Sequence, residues 1–143
     1  MQLLGNLAEA VDQLGVGLAC LAEAYEALDE NSAETLEERL FRPVQGAYSR
    51  ARRTHAEFSA RHRLPESKFL PRSPGQHSAD PKVYIERAIE AAERADHEIA
   101  ELQDSMLPVE VGDTELRAGL SSTRELIAHV PAHGRMLLRT VGR

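Results

Sequence analysis

Apolar residues recur at alternating steps of three and four in four long stretches of the chain, a spacing that places them on one face of an α-helix. The first stretch shows the pattern most clearly, over about seven helical turns. Its members are Leu4, Leu7, Val11, Leu14, Leu18, Leu21, Tyr25 and Leu28. The four stretches predict an all-α protein with helices over residues 2–29, 33–62, 81–106 and 114–141.

Capping residues mark where the later helices begin. Asn31 or Ser32 is suited to accept a hydrogen bond from the first turn of the second helix. Asp80 stands before Pro81, and proline is favoured at the first helical position because its missing N–H is not needed there. Asp113 precedes the fourth stretch in the same way.

Prolines interrupt the periodic pattern at three places. Pro43 and Pro131 each remove a backbone donor inside a predicted helix, so we expect a kink near Pro43 and a kink or a break near Pro131. Residues 63–79 contain three prolines and show neither helical nor strand periodicity. We interpret this segment as a Pro-rich internal linker that joins two helical hairpins.

The lengths of the segments predict a single domain over residues 1–143. Each helix is about 40 Å long at 1.5 Å per residue, so the four match in length. Short connections within each hairpin require antiparallel neighbours. We therefore expect an elongated, antiparallel, coiled-coil-like four-helix bundle, with up-down-up-down order.

Charge is distributed by segment. Residues 1–40 and 80–115 are acidic, whereas residues 41–79 and 116–143 are basic, and the whole chain carries a net charge of −6. We expect each acidic helix to lie between two basic ones, because opposite charges would then face each other across every interface. The acidic balance argues against a nucleic-acid partner.

Two further features of the composition bear on where the protein acts. The chain lacks an apolar run of about 18 residues, so we expect no integral membrane insertion. Its one cysteine, Cys20, cannot form an internal disulfide, which is typical of a reducing compartment. We therefore expect a cytoplasmic protein.

The sequence contains no motif that carries catalysis. A Gly-rich phosphate loop, a nucleophile elbow, HExxH and CxxC are all absent, so we assign no catalytic residue and no cofactor. His97 with Glu101, and His129 with His133, resemble the ligand spacings of hemerythrin-like bundles. Helical phase puts these side chains outside the predicted core, and the fourth-helix histidine and aspartate of that family have no counterpart. We therefore expect no metal site.

Two histidines lie on the predicted apolar face of the second helix. His55 and His62 are seven residues apart and flank Phe58. We interpret them as packed histidines at the edge of the core. The alternative is a pH-sensitive packing point, because burial and nearby carboxylates shift the pKa of histidine in opposite directions.

The second helix also carries a run of arginines. Arg50, Arg52 and Arg53 form a basic flank that could bind phosphate or nucleic acid. No aromatic residues are interleaved with them, and acidic helices are expected next to them. A solvated, internally compensated face is the interpretation we favour.

Small residues line the apolar face of the third helix. Ala88, Ala92 and Ala95 allow a neighbouring helix to approach closely or accept larger side chains from a partner, whereas we place Ala91 off this seam. A second apolar line in the first helix is either a widened core or a surface for a partner. It consists of Leu3, Ala10, Gly17 and Ala24.

These observations predict a non-catalytic helical-bundle protein that acts through protein–protein association, as an adaptor, a regulator or an assembly subunit. We expect a homo-oligomer, most simply a homodimer. One alternative is a bundle that carries a metal or a small ligand in its core, for which inward-pointing polar residues would be needed. Another is a membrane-surface helical module, which would need a continuous basic face.

Overall fold

A computed structural model of the protein describes residues 2–141, and its regular elements are all helical. They are α1 (Gln2–Ala27), α2 (Glu30–Leu36), a π turn (Glu37–Phe41), α3 (Arg42–Arg61), α4 (Pro81–Asp104), α5 (Leu107–Val111), α6 (Thr114–Ile127) and α7 (Val130–Thr140). The predicted all-α bundle is confirmed. Three of the predicted helices are continuous, because α1, the run from α2 through α3, and α4 cover residues 2–27, 30–61 and 81–104, whereas the fourth is divided between α6 and α7.

Aspartates cap three of these helices. The Asp113 side chain accepts a hydrogen bond from the Leu116 amide at 2.9 Å, and Asp80 accepts one from the Lys82 amide at 3.0 Å, as predicted. The cap of α2 is Asp29, not Asn31 or Ser32 as predicted. Its carboxylate accepts from the Ser32 amide at 2.9 Å, so the helix begins before both predicted caps.

Pro43 and Pro131 have different effects on the predicted helices that contain them. Before Pro43 the helix widens into the π turn, in which the Arg42 amide bonds to the Glu37 carbonyl five residues back. A π turn is one of the ways in which a helix accommodates a distortion without ending. Helical structure therefore runs unbroken from α2 through α3. Ahead of Pro131, by contrast, α6 ends at Ile127 and α7 begins at Val130, so the helix breaks there, which is one of the two outcomes expected of this proline.

The long helix α1 packs against α3 and α4 and runs antiparallel to both. A Cβ built on Gly17 would lie 3.6 Å from Val44 and 3.7 Å from Ala91, while one on Gly15 would lie 3.4 Å from Tyr48. As the residue number rises along α3, the number of the contacted residue in α1 falls, which is the pattern of antiparallel helices. Glu9, near the start of α1, lines a surface depression together with His97, near the end of α4, so these two helices also run antiparallel.

Helices α6 and α7 complete the bundle by packing against α3 and α4, again in antiparallel fashion. Arg61 at the end of α3 bonds to Asp113 at the start of α6. Asp96 of α4 pairs with Arg124 of α6, while the earlier residue Glu93 pairs with Arg135 of α7.

Helices α3 and α4 consequently point in the same direction, and the up-down-up-down order that we predicted is wrong. The order is up-down-down-up, so the segment that joins α3 to α4 must return along the length of the bundle. Arg72 of this linker pairs with Asp12 at 2.7 Å, and the Cys20 thiol donates to the Pro74 carbonyl at 3.6 Å. The linker therefore lies along α1 and contributes to the packing.

The prediction about charge is also wrong. The two acidic helices α1 and α4 form the most extensive helix–helix contact in the described chain. Their interface is rich in Ala, Gly and Leu residues, whereas Glu9 and Glu90 are exposed and the Glu93 carboxylate pairs with Arg135 of α7. Packing of small residues decided this pairing, because exposed ion pairs are each worth only about 0–1 kcal/mol.

The core extends over both apolar lines of α1. All four members of the second line are buried, namely Leu3, Ala10, Gly17 and Ala24. Ile89 of α4 is also buried. These residues belong to a widened core and offer no surface to a partner. At the other end of α1, Tyr25 is exposed, so the buried face ends earlier than the predicted seam.

Candidate functional site

The small residues of α4 lie inside the bundle. Ala88, Ala92 and Ala95 are all buried and so pack within the chain, and Ala92 lies on the side of α4 that faces α6 and α7. Ala91, which we placed off the seam, is equally buried. Its Cβ lies 3.7 Å from the position that a Cβ of Gly17 would occupy, so the two backbones approach closely. Sequence periodicity missed Ala91 because α4 buries a face wider than one seam.

His55 is buried under the linker. Its side chain is only 2% exposed, and its ring meets the Phe69 ring edge-on at 5.2 Å. The Nε2 atom has no hydrogen-bond partner in the described structure. Burial lowers the pKa of His55 below the ordinary value of 6.5, because the charged imidazolium would lose its hydration. His55 is therefore neutral in this environment at neutral pH.

His62 has different surroundings from His55, although both were placed on one apolar face of the second helix. His62 lies just beyond the end of α3, and its side chain is 36% exposed. The ring lies against Phe58 at 4.2 Å between centroids. Its Nε2 atom is 2.9 Å from the Asp113 carboxylate, so one face of the imidazole packs while its edge binds an acid.

Asp113 is the centre of a polar cluster that joins α3 to α6. Its side chain is 7% exposed and receives two hydrogen bonds from the Arg61 guanidinium, both at 2.9 Å. Arg61 also reaches Glu115 at 3.0 Å. Burial acts to raise the pKa of Asp113, but the Leu116 amide, His62 and Arg61 outweigh it and hold this pKa below 3.8. The sequence identified Asp113 only as a cap, because its partners are some 50 residues away in the chain.

The arginines of α3 lie on its solvent side. Arg52 and Arg53 are exposed, and Arg50 is half-buried. Arg52 lies over the Tyr48 ring at 5.4 Å, and Arg53 approaches Glu57 at 3.7 Å on the same helix. Aromatic and acidic neighbours are therefore present, but neither arginine forms a bidentate ion pair within residues 2–141.

The remaining histidines lie on the surface. His97 contacts Glu101 at 3.1 Å, with both side chains mostly exposed, and the rings of His129 and His133 are 5.9 Å apart. Among residues 2–141 no three His, Cys, Asp or Glu side chains are grouped so that they could hold a metal ion. The histidine pairs thus remain isolated pairs.

An exposed stripe runs along α6 and α7. It consists of Leu126, His129, Ala132 and Met136, and we call it the α6–α7 stripe. Leu126 is 41% exposed and Met136 is 57% exposed, so both belong to the exposed large apolar residues of the described chain. The predicted seam of the fourth helix contains neither Leu126 nor Met136, and their positions beside α3 and α2 depend on contacts that are distant in sequence.

Compared with protein-family models, with curated proteins and with solved structures, the chain shows no significant match. None of the described helices combines the length and the apolar character that are needed to cross a bilayer.

Proposed function

We propose that the protein is a non-catalytic helical module that associates with a second copy of itself through the α6–α7 stripe. Leu126 and Met136 support this proposal, because both are exposed and lie beside the continuous helical run from α2 through α3. Large apolar side chains that share a surface are typical of protein–protein contacts. The apolar residues that first suggested self-association, the second line of α1, are buried and no longer contribute to it.

The charges around the stripe favour a two-fold arrangement. In the sequence Glu125 precedes the stripe and Arg139 follows it, and both are exposed. Neither forms an ion pair within residues 2–141. If two copies dock with their stripes antiparallel, Glu125 of each copy faces Arg139 of the other. A two-fold contact of this kind is self-complementary and closes at a dimer. The contact would resemble an antiparallel coiled coil.

Charge reversal tests this arrangement sharply. Glu125→Arg replaces two attractive pairs across the dimer with two repulsive ones, and so does Arg139→Glu. Each exposed pair is worth about 0.2–1 kcal/mol, so each variant should weaken dimerisation by about tenfold at low salt. An equimolar mixture of the two variants should form a heterodimer, because opposite charges then face each other at both ends. Sedimentation equilibrium measures all of these masses.

Two further variants separate the stripe from apolar exposure in general. Met136→Glu places a charge inside the proposed contact and should abolish the dimer. Val109→Glu changes another exposed apolar residue, on α5, and should leave the dimer intact. Monomeric wild-type protein at tens of micromolar would refute self-association, and a dimer insensitive to Met136→Glu would refute the stripe as its contact.

We also infer that the protein works in a reducing, cytoplasmic setting. The single thiol, Cys20, is buried, and burial raises its pKa. A buried thiol with a raised pKa is a poor nucleophile, so Cys20 is suited to packing. Alkylation of the native protein should be slow, and should become fast only after unfolding.

A further inference from the structure

A surface cleft lies between α3 and the linker. Its volume is about 420 Å³, and its walls include Ser49, Arg52, Arg53, His55, Ser67 and Phe69. Small-molecule sites in proteins generally have volumes of about 300–1,000 Å³. The cleft therefore has room for a small organic molecule, and its walls offer two guanidinium groups and two hydroxyl groups.

The histidine in this cleft is unusual because it has no polar partner. His55 is almost fully buried, yet its Nε2 atom makes no hydrogen bond within the described residues. A buried polar atom is normally hydrogen-bonded, and an exception calls for an explanation. Phe69 of the linker covers the ring edge-on. Without a compensating negative charge nearby, burial disfavours protonation of this imidazole.

The two arginines of the cleft keep their hydrogen-bonding capacity. Elsewhere Arg61, Arg72 and Arg124 each direct two donors to one carboxylate. Arg52, by contrast, lies over an aromatic ring, and Arg53 makes only one long contact with an exposed glutamate. A guanidinium group can donate two parallel hydrogen bonds to two oxygens of one phosphate. Two neighbouring arginines without a bidentate carboxylate partner are therefore suited to bind a phosphate.

Glu66 disfavours the binding of an anion in this cleft, and it also provides a test of the sign of the ligand charge. Glu66 of the linker lines the same cleft, so the fixed charges on its walls are two positive and one negative. An anionic ligand must overcome repulsion from Glu66, and a cationic ligand would be attracted by it. The sign of the effect of Glu66 therefore reports the sign of the ligand charge.

We propose that this cleft binds the phosphate group of a small phosphomonoester. Arg52 and Arg53 bind the phosphate oxygens, and the hydroxyls of Ser49 and Ser67 donate further hydrogen bonds. The Phe69 ring contacts the organic part of the ligand. The bound negative charge then compensates a proton on the neighbouring His55 ring.

Calorimetric titration with phenyl phosphate, and separately with inorganic phosphate, tests this site in the full chain. The double variant Arg52→Gln with Arg53→Gln should weaken the binding of phenyl phosphate by at least tenfold. Glu66→Gln should strengthen it. Phenyl phosphate should bind more tightly than inorganic phosphate, because only the former contacts Phe69. The matched control is Arg50→Gln, since Arg50 lies on α3 but does not line this cleft.

A second readout follows the His55 imidazole by NMR. Burial lowers the pKa of His55 in the free protein. Saturating phenyl phosphate should raise this pKa, and the double arginine variant should abolish the rise. Absence of binding at millimolar phenyl phosphate would overturn the proposal. Equal loss of binding in Arg50→Gln, or weaker binding in Glu66→Gln, would also overturn it, because the anion would then be held elsewhere on the surface.

Discussion

Two helical glycines in the bundle should respond in opposite ways to the same substitution. Gly46 lies inside α3 and Gly119 lies inside α6, so alanine at either position removes backbone freedom from the unfolded chain. A Cβ on Gly46 would lie 3.7 and 3.8 Å from the methyl groups of Leu126, an ordinary van der Waals distance. Space alone therefore does not oppose Gly46→Ala.

At Gly119 the new methyl group has no room. It would lie 2.7 Å from Cγ2 and 2.9 Å from Cβ of Thr54, and closer still to Oγ1. Thr54 cannot swing away, since its Cβ is attached directly to the backbone and its hydroxyl donates to the Arg50 carbonyl at 2.8 Å. Helices α3 and α6 would have to move apart to admit the methyl group.

These contacts set the expected magnitudes. Alanine is favoured over glycine inside a helix by about 0.8–1 kcal/mol, so Gly46→Ala should raise the free energy of unfolding by about 0.5–1 kcal/mol. Overpacking costs about 1–3 kcal/mol, which offsets the same gain at Gly119. The net loss for Gly119→Ala should therefore reach about 2 kcal/mol.

Urea unfolding followed by circular dichroism measures both effects. With a slope of about 1–3 kcal/mol/M, Gly46→Ala should move the midpoint up and Gly119→Ala should move it down. A midpoint for Gly119→Ala at or above that of the wild type would show that α3 and α6 do not approach each other as described. The geometric reasoning would then be refuted.

Three other predictions follow from the described contacts. Asp113→Ala should lower the free energy of unfolding in urea by about 2–4 kcal/mol, against about 1 kcal/mol for Asp80→Ala. Both substitutions remove a helix cap, but only Asp113 also binds Arg61 and His62. Equal costs would contradict a stabilising role for the cluster. Ala92→Leu should cost about 1–3 kcal/mol because Ala92 is buried, and Ala100→Leu, at a half-buried position that lines the same surface depression, should cost less; equal midpoints would contradict the close packing of Ala92. Burial lowers the pKa of His55, so the unfolded state binds a proton before the folded state does as the pH falls through 6.5. The free energy of unfolding should therefore decline below this pH, and His55→Gln should reduce the decline.

The sequence predicted what depends on neighbours in the chain. Leu7, Leu14 and Leu21 are buried on one face of α1, as their spacing indicated. Asp80 and Asp113 cap the helices that follow them. These features follow from the 3.6-residue turn and from hydrogen bonds that span three residues, so a local pattern is sufficient to find them.

The candidate sites depended on residues distant in sequence and were harder to predict. His55 and His62 look equivalent along the helix, yet one is buried under Phe69 of the linker and the other binds Asp113. Nothing in the spacing of α3 distinguishes them, because the residues that do so come from the linker and from α6. Arg52 was correctly identified as basic and exposed, but the cleft beside it is formed by the linker.

The order of the helix directions could not be predicted for the same reason, because it depends on contacts that are distant in sequence. A linker of 17 residues can span at most about 55 Å, and a 24-residue helix is about 36 Å long, so the linker is able either to cross one end of the bundle or to return along its side. Length therefore leaves both orders open. Specific contacts select the second, since Arg72 holds the linker to Asp12 and Arg87 donates to the Pro74 carbonyl at 3.0 Å. The same path places Phe69 over His55, so the contacts that fix the order of the helices also form the cleft proposed for the phosphomonoester.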